Sequence, residues 1–455
     1  MLKRKIEIEL DRFLHDCKKS ALLITGARQV GKTYSIREFG KKNFDSFVEF
    51  NFVKDKTARS IFENAQDEKD VLLRLSAVAD RRLIPGKTLI FLDEIQKCPE
   101  AITYIKFLVD EGSYRYILSG SLLGVELKNV RSIPVGYMRE VEMYPLDFEE
   151  FLTANGLNED VFAHLRSCFA DRKSPDEVVH DRIMRYFRLY LVIGGMPAAV
   201  QQYLDTNDLK VVTDEQSKIV VEYKRDITQC DERLKMKLRR IYSLMPSELN
   251  KQNKRFYLKN VTARGSLDRI EDDFIWLKEA GVAIPTYNVD EPVVPLELAT
   301  KANLFKLFMN DVGLLAYLYM GGIQLKILDD DLQINCGSVY ENFVAQELLA
   351  HGFGKDGSLH YYNSKRIGEV DFVVETDGKV LPIEAKSGAD FRSHTALNKL
   401  MQTNEYGICE SWVLNKFAKV WSENGITYFP IYFLMFLQHA DLPERMIYKV
   451  EERER

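Results

Sequence analysis

The chain has 455 residues, 46% of them hydrophobic and 29% charged, with a net charge of −5. That is the composition of a soluble globular protein long enough for two to four domains, and it carries no whole-chain nucleic-acid signal. Six cysteines (Cys17, Cys98, Cys168, Cys230, Cys336 and Cys409) form no C-x-x-C pair, which argues against a zinc site or a disulfide framework and for reduced thiols. The basic start, residues 1–5, runs into a segment too charged for a signal sequence. The most apolar stretch, residues 428–437, is too short to span a bilayer and contains Pro430. These readings place the chain in the cytoplasm with no membrane partner.

The first strong signal is Gly26-Ala27-Arg28-Gln29-Val30-Gly31-Lys32-Thr33, a G-x-x-x-x-G-K-T phosphate-binding loop. Its context fits. Residues 21–25 read as a buried strand, and residues 34–39, from Tyr34, start a helix. Strand, glycine loop and helix bring successive amides and a helix N-terminus to one point, which suits a polyphosphate. Gly26 and Gly31 free the backbone, Lys32 reaches the β- and γ-phosphates of ATP, or the β-phosphate alone of ADP, and the Thr33 hydroxyl serves Mg²⁺.

Residues 88–93 form an apolar run ending in Asp93, followed by Glu94. A parallel strand buried on both faces reads this way, with its ligand site at the carboxyl end. Asp93 is placed to hold Mg²⁺ and Glu94 to polarise the attacking water. Residues 114–118 give another strand that ends in Ser119. Ser119 either contacts the γ-phosphate or the water, or simply begins a turn. Strands at 47–52 and 140–144 complete an alternation that predicts a parallel sheet covered by helices, over residues 1–153.

From 154 to 300 the pattern is mainly helical. Helices are expected at 182–190 and 198–204 around the loop 194–197, then at 215–227, 233–244 and 267–280, the last capped by Ser266 and ended by Gly281. A hairpin-like stretch over 282–298 completes the plan of a winged helix. Between Arg233 and Arg264 lie ten basic residues (Arg233, Lys235, Lys237, Arg239, Arg240, Lys251, Lys254, Arg255, Lys259 and Arg264) against the single acid Glu248. Such a patch binds phosphates by releasing counterions, which makes DNA a candidate partner. The plainer alternative is a basic face paired with an acidic neighbour.

Residues 301–455 return to mixed character. A helix over 338–349 bears Glu341, and strands follow at 359–362, 369–374 and 380–386, the last two joined by a hairpin turn at 376–379. Asp371 and Glu384 interrupt apolar strands, at a cost unless they are paired or metal-bound. Glu384 and Lys386 point to one face, because strand side chains alternate. Two carboxylates and a lysine can hold Mg²⁺, orient water and stabilise a phosphodiester transition state. A structural ion pair of Lys386 with Asp371 or Glu384 explains the same residues.

The order of segments resembles prokaryotic AAA-type ATPases fused to a C-terminal restriction-endonuclease-like domain of the PD-(D/E)xK type. The resembling pieces are GARQVGKT (26–33), IFLDEIQ (90–96), ILSGSLL (117–123), MYPLDFEEF (143–151), LVIGGMPAAV (191–200), MNDVGLLAYL (309–318), YENFVAQEL (340–348) and EVDFVVETDGKVLPIEAKSG (369–388). The resemblance implies an ATPase site at Lys32, Thr33, Asp93 and Glu94, with Ser119 as the polar γ-phosphate sensor. It implies nuclease-like positions at Glu341, Asp371, Glu384 and Lys386, the first three as metal ligands, although Val370 stands where the strict motif has proline. Arg131 and Arg139 are the nearest candidates for an arginine finger. The resemblance also implies a homo-oligomer of unfixed size. The expected function is an Mg²⁺-dependent ATPase coupled to a DNA-directed, nuclease-like domain. The alternative is a nucleotide-switched interaction module without nuclease activity.

Overall fold

A computed structural model describes residues 2–121, 136–227, 232–251, 253–256, 271–319, 323–330, 336–354 and 358–439. The N-terminal part runs α1 (Ile6–His15), β1 (Ala21–Thr25), α2 (Lys32–Asn43), β2 (Ser46–Asn51), α3 (Lys56–Glu63), α4 (Glu68–Val78), β3 (Thr88–Asp93), α5 (Pro99–Glu111), β4 (Arg115–Ser119) and β5 (Met138–Glu142). The five strands are parallel, in the order β2-β3-β4-β1-β5. β1 and β3 are buried at every position, as the apolar runs predict for strands covered on both faces. β1 and β3 flank β4, so their carboxyl ends open on the same edge of the sheet.

A helical region follows: α6 (Phe148–Ala154), α7 (Glu159–Ala170), α8 (Glu177–Ile193), α9 (Pro197–Thr206), α10 (Leu209–Asp226), α11 (Glu232–Leu249) and α12 (Glu271–Glu279). Asp147 and Glu150 close a capping box at the start of α6, which fixes where the chain leaves the first sheet. Ser266, Lys259 and Arg264 lie outside the described residues, as does Arg131.

The last part comprises β6 (Ala283–Val289), β7 (Thr300–Met309), α13 (Val312–Leu318), α14 (Ile323–Leu328), α15 (Gly337–Ala350), β8 (Leu359–Ser364), β9 (Gly368–Thr376), β10 (Lys379–Ala385), α16 (Thr395–Met401), β11 (Ser411–Asn415), β12 (Trp421–Glu423) and β13 (Ile426–Pro430). These strands make one mixed sheet ordered β12-β13-β11-β10-β9-β8-β6-β7. A hairpin does form, but its second strand, β7, begins at Thr300, beyond the expected stretch 282–298, and the pair is built into this sheet. β6 pairs antiparallel with β7 and parallel with β8. The sheet therefore runs across position 300, where a domain border was expected. Asp377 and Gly378, both at positive φ, make the tight turn between β9 and β10.

The helical region and the second sheet share one apolar core. Phe148 of α6 meets Phe187, Tyr190 and, on α15, Phe343 at centroid distances of 5.8, 5.4 and 6.0 Å. Twelve of the fourteen residues of α15 are buried, so it serves as the hub between the two regions.

Candidate functional site

The loop between β1 and α2 starts at Gly26, whose φ of +122° suits glycine. A Cβ there would lie 2.1 Å from the Met143 carbonyl oxygen, so the loop is pressed against the chain leaving β5. Gly31, at φ +100°, ends the loop and starts α2. Lys32 is buried, and its ammonium donates to the carbonyls of Gly26 (2.8 Å) and Ala27 (2.7 Å). Burial pushes its pKa down to about 8, against the opposing charges of Glu94 and Asp93. Both acid charges thus act on the ammonium.

Asp93, at the end of β3, is the centre of the site. The Thr33 hydroxyl lies 3.3 and 3.4 Å from its two carboxylate oxygens. Asn51, ending β2, donates its amide at 2.8 Å, and the Ser119 hydroxyl, ending β4, also donates. Three neighbouring strands and one helix thus meet on one carboxylate. Asn51 was missed in the sequence, although it ends a strand beside Asp93's, the same signal that marked Ser119. Glu94 adopts φ +58°, a region that costs a non-glycine residue roughly 1–2 kcal/mol. Its carboxylate accepts from Gln96 Nε2 at 2.6 Å.

Arg28 and Gln29 turn outward from the loop, onto α10. Arg28 Nη1 pairs with Asp226 Oδ1 at 2.5 Å and its Nε donates to Ser121 Oγ at 3.3 Å. Gln29 hydrogen-bonds Glu222, and the Tyr223 hydroxyl donates to the Arg28 carbonyl at 3.3 Å. The Val30 carbonyl accepts from Arg4 Nη1 at 2.8 Å, while the same guanidinium reaches Tyr144 O at 2.7 Å and Glu150 at 3.1 Å. Tyr34 is 52% exposed on α2 and joins none of these contacts. Arg139 pairs with Glu9 of α1 in its own chain.

The second sequence-marked cluster also comes together. Asp371 and Glu384 sit side by side on β9 and β10: Ala385 N donates to Asp371 Oδ2 (2.9 Å), and Lys386 Nζ lies 2.7 Å from Glu384 Oε1. Burial, then the charge of Asp371, push Glu384 up to about 8. Glu341, on α15, is buried and its pKa is raised by burial and by Asp371. Two lysines meet it: Lys254 in an ion pair and Lys306 at 3.7 Å. Lys306 is wholly buried, and its Nζ also lies 2.8 Å from Glu369. Its pKa is raised, because Glu341, Glu369 and Asp371 outweigh the burial. Lys306 was missed in the sequence, yet it interrupts an apolar strand just as Asp371 and Glu384 do.

A metal ion fits the two clusters differently. Thr33 and Asp93 offer the hard oxygen donors that Mg²⁺ takes beside a polyphosphate. In the second cluster the carboxylates are met by lysines, and no group of three or more His, Cys, Asp or Glu among the described residues is placed to hold a metal ion. The basic run divides as well. Lys254 serves Glu341 and Lys251 pairs with Glu248 at 2.6 Å, whereas Arg239 and Arg240 are exposed on α11. No helix among the described residues is long and apolar enough to cross a membrane.

Residues 18–152 match a family model described as an AAA domain. Residues 184–327 and 336–434 match two models, each described as a domain of unknown function. Fold, loop and family model together define an AAA-type P-loop ATPase-like domain in the N-terminal third. No curated protein sequence matches the chain. Among solved structures, the Aeropyrum pernix ORC1 protein in complex with DNA matches at 14% identity, over 72% of this chain and 93% of that one, with a TM-score of 0.31. AMPPCP-bound DnaA from Aquifex aeolicus matches at 14% over 61% and 87%, TM-score 0.29. Cdc6p from Pyrobaculum aerophilum matches at 12% over 73% and 97%, TM-score 0.27. Likeness this distant assigns no residue and no partner.

Proposed function

We propose that the chain is an Mg²⁺-dependent ATPase whose nucleotide state controls a nucleic-acid-directed C-terminal region. The observation that carries this reading is the convergence of Thr33, Asn51 and Ser119 on Asp93, with Lys32 and Glu94 alongside. On binding ATP, Lys32 exchanges two carbonyl partners for β- and γ-phosphate oxygens, which relieves a buried charge. Thr33 and Asp93 are the residues that would hold Mg²⁺, which supplies charge neutralisation on the phosphates. Glu94, kept in place by Gln96, orients the attacking water and takes up its proton. In this reading Ser119, which donates to Asp93, senses the γ-phosphate, and Arg28, paired with Asp226, passes movement of the loop to α10.

Calorimetric titration with ATP and steady-state phosphate release test this. Lys32→Ala is expected to abolish binding. Glu94→Gln is expected to bind ATP but turn it over at least about 100-fold more slowly. Unchanged turnover in Glu94→Gln rejects its assigned role.

For the C-terminal cluster a second reading has a specific support. The lysines on Glu341 favour a nucleotide-switched module in which the carboxylates and lysines hold the sheet to α15, without phosphodiester cleavage. Plasmid, single-stranded DNA and RNA, incubated with Mg²⁺ or Mn²⁺, separate the two readings. Cleavage that Lys386→Ala abolishes supports a nuclease, and equal inertness of parent and variant supports the module.

A further inference from the structure

One edge of the second sheet carries an aromatic and cationic cluster that neither reading uses. Glu384 on β10 pairs in register with Val413 on β11, Val413 with Tyr428 on β13, and Tyr428 with Trp421 on β12. Paired residues project to the same face, so Trp421 and Glu384 share a face and stand three strand spacings, about 14 Å, apart. The Trp421 indole lies flat on the Tyr428 ring, with centroids 4.1 Å apart and planes at 8°. Phe391 packs edge-on against it at 5.8 Å. The Arg392 guanidinium and the Lys419 ammonium lie over the indole at 5.5 and 5.9 Å. Both cations are exposed, and neither is ion-paired to a carboxylate among the described residues. Glu423, two residues along β12, pairs with neither.

The cluster is also continuous with the carboxylates. The segment 386–394 leads from Lys386 past Phe391 and Arg392 to His394, whose ring hydrogen-bonds the Tyr428 hydroxyl at 2.6 Å. Burial lowers the His394 pKa, and the charge of Lys386 lowers it further.

We propose that Trp421, Arg392 and Lys419 form a stacking platform for single-stranded nucleic acid, which leads the strand along one face of the sheet toward Glu384 and Lys386. Unstacked bases lie on aromatic and guanidinium planes, and the two cations neutralise the flanking phosphates. Duplex DNA keeps its bases stacked on each other and offers this platform only its backbone. Binding stands on the edge cluster alone; the direction of the strand rests on the reading of the C-terminal cluster as facing a phosphodiester.

The test is fluorescence anisotropy of the full chain with a dye-labelled oligothymidylate of about 16 nucleotides, in EDTA, over a range of salt. Trp421→Ala is expected to weaken binding roughly tenfold or more, and Trp421→Phe to retain most of it. Arg392→Ala with Lys419→Ala is expected to weaken binding and to flatten the slope of log affinity against log salt by about 1.4. Should Trp421→Ala fail to fold, the exposed double variant decides alone. Parent-like affinity and salt slope in the double variant overturn the proposal. So does a parent chain that binds duplex as tightly as single strand, or one that captures polyglutamate through Arg392 and Lys419 but not the oligonucleotide. Binding as expected, with the oligonucleotide left intact in Mg²⁺, supports the platform and counts only against cleavage.

Discussion

Lys32→Met isolates the cost of holding a phosphate-binding cation ready. In the nucleotide-free chain, burial lowers the Lys32 pKa from 10.5 to about 8. Well below both values, such a drop destabilises the folded state by roughly 3 kcal/mol. Lys32 is only 9% exposed, so solvent screening removes little of this. Methionine keeps the apolar stem and deletes the charge, but leaves the Gly26 and Ala27 carbonyls without their donor, at about 1 kcal/mol each. The variant should therefore be more stable than the parent by about 1 kcal/mol near neutral pH. The sign with pH is fixed. Between the two pKa values the unfolded chain holds a proton that the folded chain has lost, so the parent's stability rises with pH. Between pH of about 7.5 and about 9.5 the gain is roughly 2 kcal/mol, and the variant lacks it. Urea unfolding of the nucleotide-free proteins, followed by far-UV circular dichroism, reads this as a shift in midpoint. With ATP at about 100 times its dissociation constant the order reverses, since only the parent gains about 2.7 kcal/mol. A variant that is less stable at neutral pH, with a pH dependence parallel to the parent's, refutes the reasoning.

Lys306→Met should leave the buried Glu341 and the half-buried Glu369 around a missing cation and cost about 3–5 kcal/mol, with Glu341→Gln restoring part of the loss. Thermal melting checks both, and a neutral single variant would show that the lysine holds nothing together. Gly195→Ala should destabilise by about 3 kcal/mol or more, because backbone must move to admit the methyl group. Its Cβ would lie 2.0 Å from the Leu146 carbonyl oxygen, and Gly195 N donates to Asp311 at 2.6 Å. A melting temperature equal to the parent's contradicts that packing.

The nucleotide site was legible in sequence because its information is local. A glycine loop between an apolar strand and a helix names its own geometry, and Asp93 follows from burial of β3 on both faces. The partners from further along the chain were not legible. Nothing around Asp226 or Glu222 marks them as neighbours of Arg28 and Gln29, because 193 or more residues separate the pairs. Arg4 read as part of a basic start, yet it is buried and gripped by the Val30 and Tyr144 carbonyls and Glu150. In the second sheet, β8 to β10 followed from alternation and a turn. β11 and β13 are buried at every position and gave no alternation to read. A hairpin was expected from β6 onward, but its second strand lies past position 298, and the pairing of β6 with β8 crosses more than a helix and a loop. Local pattern does not encode which edge a strand joins.

That pairing sets the order in which the protein can be made. β6 leaves the ribosome 70 residues ahead of β8, counted from Val289 to Leu359. At ordinary synthesis rates its outer edge waits roughly 4–14 seconds for its mate. Through that interval a row of amides and carbonyls is open to the wrong strand. A fragment begun at 336, where a family model starts, would meet the converse fate: β8 would be born without the edge that closes it. Such a fragment should clump rather than fold, and a helical fragment stopped before β8 should do the same.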